Sequence, residues 1–379
     1  MRMNSWLIAL AVVLAASAGF FVLRRRKLGP DRIAPDSTTQ VAALRAIQMP
    51  APIPVATDTD TAVPEAAVPD AAATQALNVR AETLRSLREV AFGIAIPSVG
   101  ALALPGDEIC AQIGATLGSI ADKPNYAPRR PMQLPKLMHA INDESASRRA
   151  FSQIIAGDPA LAGNLLRLAN SPFYRHSPDP IESLDRAVDM LGTEGLRSMI
   201  AAALLQPVFR ISGGGFAHFG EIAWEHSLYA AAAAEGHAAL VEDSDAFAAQ
   251  LLSLIMGLAT IVVFSVAQDA FLARQKAPEA AVLSVLIDTY AVSVARQIAA
   301  SWELSERIDT ALAEQLAPPS APESPLGRSL QFGEFIGALA VLRVRGVIDD
   351  AMAQAVLQSA ETARGTSERI WARLGVTPH

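Results

Sequence analysis

The sequence predicts an all-α protein, and three observations carry that prediction. Apolar residues recur at three- and four-residue spacings along most of the chain after about residue 74, the period of a helix with one buried face. No run shows the period-two alternation of a half-buried strand, and no glycine-bounded apolar run reads as a parallel strand. Hydrophobic residues make up 51% of the 379 positions but aromatics only 6%, with alanine contributing much of the rest. Such a composition builds a core from Ala, Leu, Ile and Val on helices.

Taken in order, the chain opens with an uncharged apolar run, Trp6 to Leu23. As a helix these 18 residues span about 27 Å, close to the roughly 30 Å of a bilayer core. Arg24, Arg25, Arg26 and Lys27 follow at once, and the positive-inside rule places that side in the cytoplasm. Residues 1–27 are therefore expected to be a transmembrane anchor with a basic stop. A cleaved signal peptide is the rival reading, since Ala16-Ser17-Ala18 offers small residues, but the basic cluster lies on the wrong side of the run for export. A secreted or periplasmic helical protein would follow from that alternative. Residues 28–73 form the expected linker: Pro30, Pro35, Pro50, Pro52, Pro54, Pro64 and Pro69 stand among Ala, Thr, Val and Asp, too little apolar surface for a core.

Residues 74–125 turn helical. Leu77, Val79, Leu84, Leu87 and Val90 predict one amphipathic segment, with Arg80, Arg85 and Arg88 expected on its wet side. Asp107 to Ile120 predicts a second. These accessory helices either pad the main domain or form a separate module. No heptad repeat is sustained, which argues against a coiled coil. After the polar Lys123–Pro131 loop, helices are expected over Leu134–Ile141 and Ser145–Ile155.

Asp158 can cap a helix begun by Pro159, which lacks an N–H that would be unpaired there. Leu161, Leu165 and Leu168 define its apolar face, and Ser171-Pro172 ends it, because a residue before proline avoids the helical region. Ser183 can cap a further helix through Leu184, Ala187, Val188 and Leu191, closed by Gly192. Further helices are expected over Thr193–Leu205, Phe216–Leu240, Ser244–Ala267, Ala277–Ala300, Ser301–Gln315, Leu326–Val344 and Asp349–Ala363. Gly213-Gly214-Gly215 lacks the context of a phosphate loop and reads as a connector.

Composition narrows function. The net charge is −7, and setting aside the five basic residues of the first 27 leaves −12. An acidic remainder argues against nonspecific nucleic-acid binding, which needs clustered Lys and Arg, so no nucleic-acid partner is expected. The single cysteine, Cys110, excludes an intramolecular disulfide and a multi-cysteine zinc site.

Three spaced blocks, DPALA (Asp158–Ala162), LLRLANSPFY (Leu165–Tyr174) and IESLDRAVDMLG (Ile181–Gly192) followed by Leu196-Arg197, resemble the HDOD (HD-related output domain) family. The resemblance extends less sharply to LPKL at Leu134 and WEHS at Trp224. It implies a helical bundle of the HD-like type over residues 126–330. The C-terminal end lies outside the resemblance, and helices of 331–379 are expected to pack on or extend the domain. It also implies bacterial signal transduction, with an unknown protein partner or a small ligand. No diguanylate-cyclase, phosphodiesterase, receiver or kinase block accompanies it.

The related HD phosphohydrolases hold divalent metal with a His, a His-Asp pair and a further Asp, because imidazoles and carboxylates together generate a metal-bound hydroxide. This chain has no His-Asp dipeptide. The pair is expected near Ser253-Leu254, where either register supplies only hydroxyl or aliphatic groups. His226 stands at the first metal-ligand position. It is either a ligand or, with its partners missing, a histidine hydrogen-bonded within the bundle. No catalytic residue, metal or cofactor is therefore expected. The alternative is a divergent metal-dependent phosphohydrolase using His226 with Glu225, Asp243 or Asp245. A partner or ligand surface is expected around Arg167, Asn170, Ser171, Phe173, Tyr174 and Arg197, against the plainer reading that Phe173 and Tyr174 plug the helix junction. The functional expectation is a non-catalytic regulatory module, single-pass in the bacterial inner membrane with its C-terminal domain cytoplasmic.

Overall fold

Every regular element among the described residues is a helix, and none is a strand. The computed structural model describes residues 71–96, 108–128, 130–131, 134–135, 159–170, 174, 181, 201–203, 216–316, 324–359 and 365–376. All belong to one unit, Gln40–His379. The expected span at 6–23, the linker up to residue 70 and the capped helix from Ser183 lie outside the described residues.

The long helices are α1 (Ala71–Phe92), α4 (Phe219–Leu240), α5 (Ala246–Ala273), α6 (Ala280–Ser301) and α8 (Pro325–Val344). Shorter ones are α2 (Glu108–Leu117), α3 (Pro159–Ala169), α7 (Glu306–Ala313), α9 (Asp350–Ser359) and α10 (Thr366–Arg373). Single 3-10 turns occupy Ile120–Asp122 and Glu314–Leu316. Helix α5 forms the centre. It packs on α4 and α6, and α8 packs along α4. On the far side, α1 lies against α8 and α4.

Local chemistry sets several boundaries. Asp245 accepts from the Ala248 amide at 3.0 Å and so caps α5. Ser324 caps α8 by accepting from Gly327 at 3.0 Å, and Pro325 takes the first helical position. In α3, Leu161, Leu165 and Leu168 are buried as their spacing predicts. Trp302 closes α6 by donating its indole N–H to the Pro128 carbonyl at 3.0 Å, which pins the loop before the domain.

Helices α4 and α8 approach closely. An alanine Cβ at Gly333 would lie 2.7 Å from the Ala234 Cβ, and one at Gly337 would lie 2.6 Å from the Ala230 nitrogen. The paired glycines and alanines let the two backbones meet with no side chain between them. At the end of the bundle, Phe219 stacks on Phe264 at 4.1 Å between ring centres, and Phe92 joins them at 5.0 Å from Phe219. This aromatic cluster fastens the C-terminal end of α1 to α4 and α5.

Two expectations are corrected. Arg80, Arg85 and Arg88 are not on a wet face: all three are half-buried. Arg85 is held by Glu82, Glu89 and the Ile96 carbonyl. Arg80 and Arg88 reach across to α8 and α6. Helix α1 packs on both flanks, so its long cations find partners instead of water. The helix expected from Ser301 begins at Glu306, after a turn at Glu303 with φ of 55°. Helix α10 lies within the helices expected over 331–379, beyond the individually expected Asp349–Ala363 helix. It is short and strongly amphipathic, and it buries Ile370 and Trp371.

Helix α8 runs unbroken across position 330, where the sequence reading divides the domain from its C-terminal extension. Helices α5 and α6 are long and apolar enough to cross a membrane. Most of α5 is buried within the bundle, as the core helix of a soluble protein also would be.

Candidate functional site

His226 projects from the N-terminal half of α4 and is buried, with 9% of its surface exposed. Its Nε2 lies 3.0 Å from the Glu334 backbone carbonyl on α8, so that nitrogen carries the proton and donates. Burial pushes the imidazole down to about 4. Arg88 adds to that shift, against the opposing effect of the Glu334 carbonyl.

The Glu334 carboxylate approaches to 4.0 Å from the same nitrogen. It is the one acid in α8. Burial pushes this carboxyl up to about 8, with Arg88 pulling it partly back. Its Oε1 is shut off from solvent and has no hydrogen-bond partner. At neutral pH both groups are therefore uncharged, and their proximity is not an ion pair.

Helix α1 supplies two cations above them. Arg88 makes a two-pronged ion pair with Asp288 of α6 and donates to the Ser284 hydroxyl at 3.1 Å. Arg80 donates to the Gln331 amide oxygen and lies 5.8 Å from the Phe335 ring centre. Among the described residues no carboxylate pairs with Arg80. Its Nε is buried without a partner, and burial lowers its pKa. These groups border a cavity of about 540 Å³ walled by α1, α4, α5, α6 and α8. Its remaining surface is largely apolar, including Leu84, Ile222, Met256, Ile287 and Leu330.

The acids named with His226 in the phosphohydrolase alternative are placed elsewhere. Glu225 faces away and pairs with Arg345 at 2.6 Å. Asp245 caps α5 and pairs with Arg307 at 3.2 Å, and Asp243 lies in the α4–α5 turn with φ of 45°. No three His, Cys, Asp or Glu side chains gather at metal-binding distance among the described residues. Ser253 and Leu254, at the expected position of the His-Asp pair, are fully buried in α5.

The expected partner surface is only partly described. Arg167 is exposed on α3, where it donates to Asn164 at 3.2 Å. Asn170 is half-buried. Its amide donates to the Ile181 carbonyl at 2.8 Å and its oxygen accepts from the Ile181 N–H at 2.8 Å. One side chain thus serves both backbone groups of Ile181, as a neighbouring strand would. Tyr174 is buried, at 9% exposure. Ser171, Phe173 and Arg197 lie outside the described residues.

The cavity residues escaped the sequence reading, although two signals were present. Arg80 and Arg88 share the apolar stripe of α1 with Leu77, Leu84 and Leu87. Glu334 is the lone acid of α8 and stands in sequence beside Phe332, Phe335 and Ile336.

The model of the HDOD domain matches residues 127–318, half of the chain. The chain belongs to the HDOD family. No curated protein matches it. Four solved structures are similar to this HDOD chain, among them the following three. An HDOD domain protein with unknown function from Geobacter sulfurreducens is 20% identical, over 70% of this chain and 94% of that one, with a TM-score of 0.46. A protein assigned as a metal-dependent phosphohydrolase from Shewanella amazonensis SB2B is 15% identical, over 70% and 99%, with a TM-score of 0.40. The MmoQ response regulator from Methylococcus capsulatus is 19% identical, over 65% and 97%, with a TM-score of 0.33. The HDOD match takes in α3 to α7 but neither α1 nor α8, so both arginines and Glu334 come from outside the family segment.

Proposed function

We propose that this HDOD chain is a non-catalytic regulatory module of a bacterial signalling system. In this reading it is tethered by residues 6–23 to the inner membrane with its helical domain in the cytoplasm, and it acts by binding a protein partner or a small ligand. One observation carries the reading. The imidazole at the metal-ligand position, His226, is committed to a backbone carbonyl at 3.0 Å, and the expected His-Asp position holds buried Ser253 and Leu254. A hydroxide-generating centre needs several imidazole and carboxylate groups converging on one ion. Of the acids weighed with His226, Glu225 pairs instead with Arg345 and Asp245 with Arg307.

The test uses the full chain in phosphatidylcholine nanodiscs, purified without chelator. Metal content and hydrolysis of a chromogenic phosphodiester are measured beside a His226→Ala variant. The expected result is metal well below one equivalent and turnover equal to that of the variant. Stoichiometric metal lost on His226→Ala, with turnover lost in parallel, would establish the phosphohydrolase alternative instead.

A further inference from the structure

The cavity between α1 and α8 has the features of a ligand site rather than of a packing defect. A void left by imperfect packing in a helical bundle is lined by apolar atoms and stays dry. This one, at about 540 Å³, falls in the size range of small-molecule pockets. It is apolar over most of its wall but gathers Arg80, Arg88, Asp288, His226, Gln331 and Glu334. Buried polar groups in a finished core are paired. Here two are not: the Arg80 Nε and the Glu334 Oε1.

The charges select the class of ligand. Arg88 is neutralised by Asp288. Among the described residues Arg80 has only the neutral Gln331 amide and the Phe335 ring face. No carboxylate among the described residues lies within ion-pair distance of Arg80, so its guanidinium is the cation of the site left without a counter-charge. A single anionic group is the complement. The free Nε–H is a donor that suits a carboxylate oxygen. Glu334, one helical turn from Gln331, supplies a further hydrogen-bonding oxygen. The apolar wall formed by Leu84, Met256 and Ile287 suits a hydrocarbon body.

The geometry points to a binding site for an amphipathic monocarboxylate, with its carboxylate on Arg80 and its apolar part against Leu84, Met256 and Ile287. The occupant bridges α1 to α8, and so couples the first helix after the expected linker to the bundle. The site shares His226 with the metal question, but the preceding assay reads metal and turnover while the binding panel reads a ligand on Arg80, so the two failures are distinguishable.

The full chain in phosphatidylcholine nanodiscs is dialysed to equilibrium against labelled octanoate, octylamine, octanol and octyl phosphate, with empty nanodiscs subtracted. Octanoate is expected to saturate one site per chain, with octylamine and octanol at least tenfold weaker. Arg80→Gln should weaken octanoate at least tenfold, and Leu84→Trp, which fills the cavity, should abolish saturation. The ligand panel needs no variant, so it stands even if a substitution fails to fold. Absence of saturable octanoate binding, octylamine binding as tightly as octanoate, or an Arg80→Gln variant that melts and binds like the parent would overturn the assignment. Octyl phosphate binding more tightly than octanoate would overturn the carboxylate in favour of a phosphate monoester.

Discussion

Glu334 and His226 respond to acid in opposite directions, and together they shape the stability of the fold with pH. The groups facing them are Arg88 and Arg80 from α1 and Asp288 from α6. Glu334 loses its proton near 4.5 in the unfolded chain but only near 8 in the fold. Between those values the folded state holds the extra proton, so this group makes stability fall as pH rises, levelling above 8. His226 gains its proton near 6.5 unfolded but only near 4 folded. Its contribution therefore rises with pH from about 4 to 6.5 and is constant above. The two slopes cancel in mildly acid solution and leave Glu334 alone from about 6.5 to 8. One proton across that window amounts to roughly 2 kcal/mol. Urea unfolding at intervals from pH 6.5 to 8 should show this decline in the parent and a flatter profile in Glu334→Gln. Equal slopes in the two proteins would mean that the carboxyl is already ionised in the fold. At the same scale, Asn170 illustrates how a family-type residue is used: it serves the backbone of Ile181 with both ends of its amide.

Among the elements, the α4–α8 contact depends on what is missing. Glycine inside a helix costs about 1 kcal/mol relative to alanine. At Gly333 and Gly337 that cost is accepted because a Cβ would enter the backbone of α4. Gly337→Ala is expected to destabilise by about 1–3 kcal/mol despite its better propensity, since the helices must move apart. Gly163, in α3, has open space where its Cβ would be. Gly163→Ala should stabilise by up to about 1 kcal/mol. Denaturation midpoints measured side by side check the opposite signs. A neutral Gly337→Ala would show that the contact is looser than described. Helix α5 carries a different lesson at this scale. Its length and apolarity match a membrane span, but its neighbours bury it, and only packing separates those two fates.

For the whole molecule, the topology proposed from residues 6–27 is tested by C-terminal fusions. A fluorescent protein that matures in the cytoplasm should glow, and an alkaline phosphatase that needs export should stay inactive. Deleting residues 1–27 should move the chain from the membrane to the soluble fraction. An active phosphatase fusion would invert the topology, and a deleted chain still sedimenting with membranes would assign the attachment to another segment.

The helical class was legible because hydrophobic periodicity and capping are local signals. Leu161, Leu165 and Leu168 announce the buried face of α3, and Pro159 announces its first position. The HDOD blocks from Asp158 to Arg197 were legible too, as a run of spaced residues that the family match at 127–318 contains. The cavity was not. Arg80 and Gln331 stand 251 positions apart, and Arg88 and Asp288 stand 200 apart. Such pairs are created when helices dock, because a side chain's partners and its solvation are properties of packed surfaces. Periodicity therefore says which face of α1 is apolar, but the packing of α1 on α8 and α6 turned two expected wet arginines into the rim of an interior site.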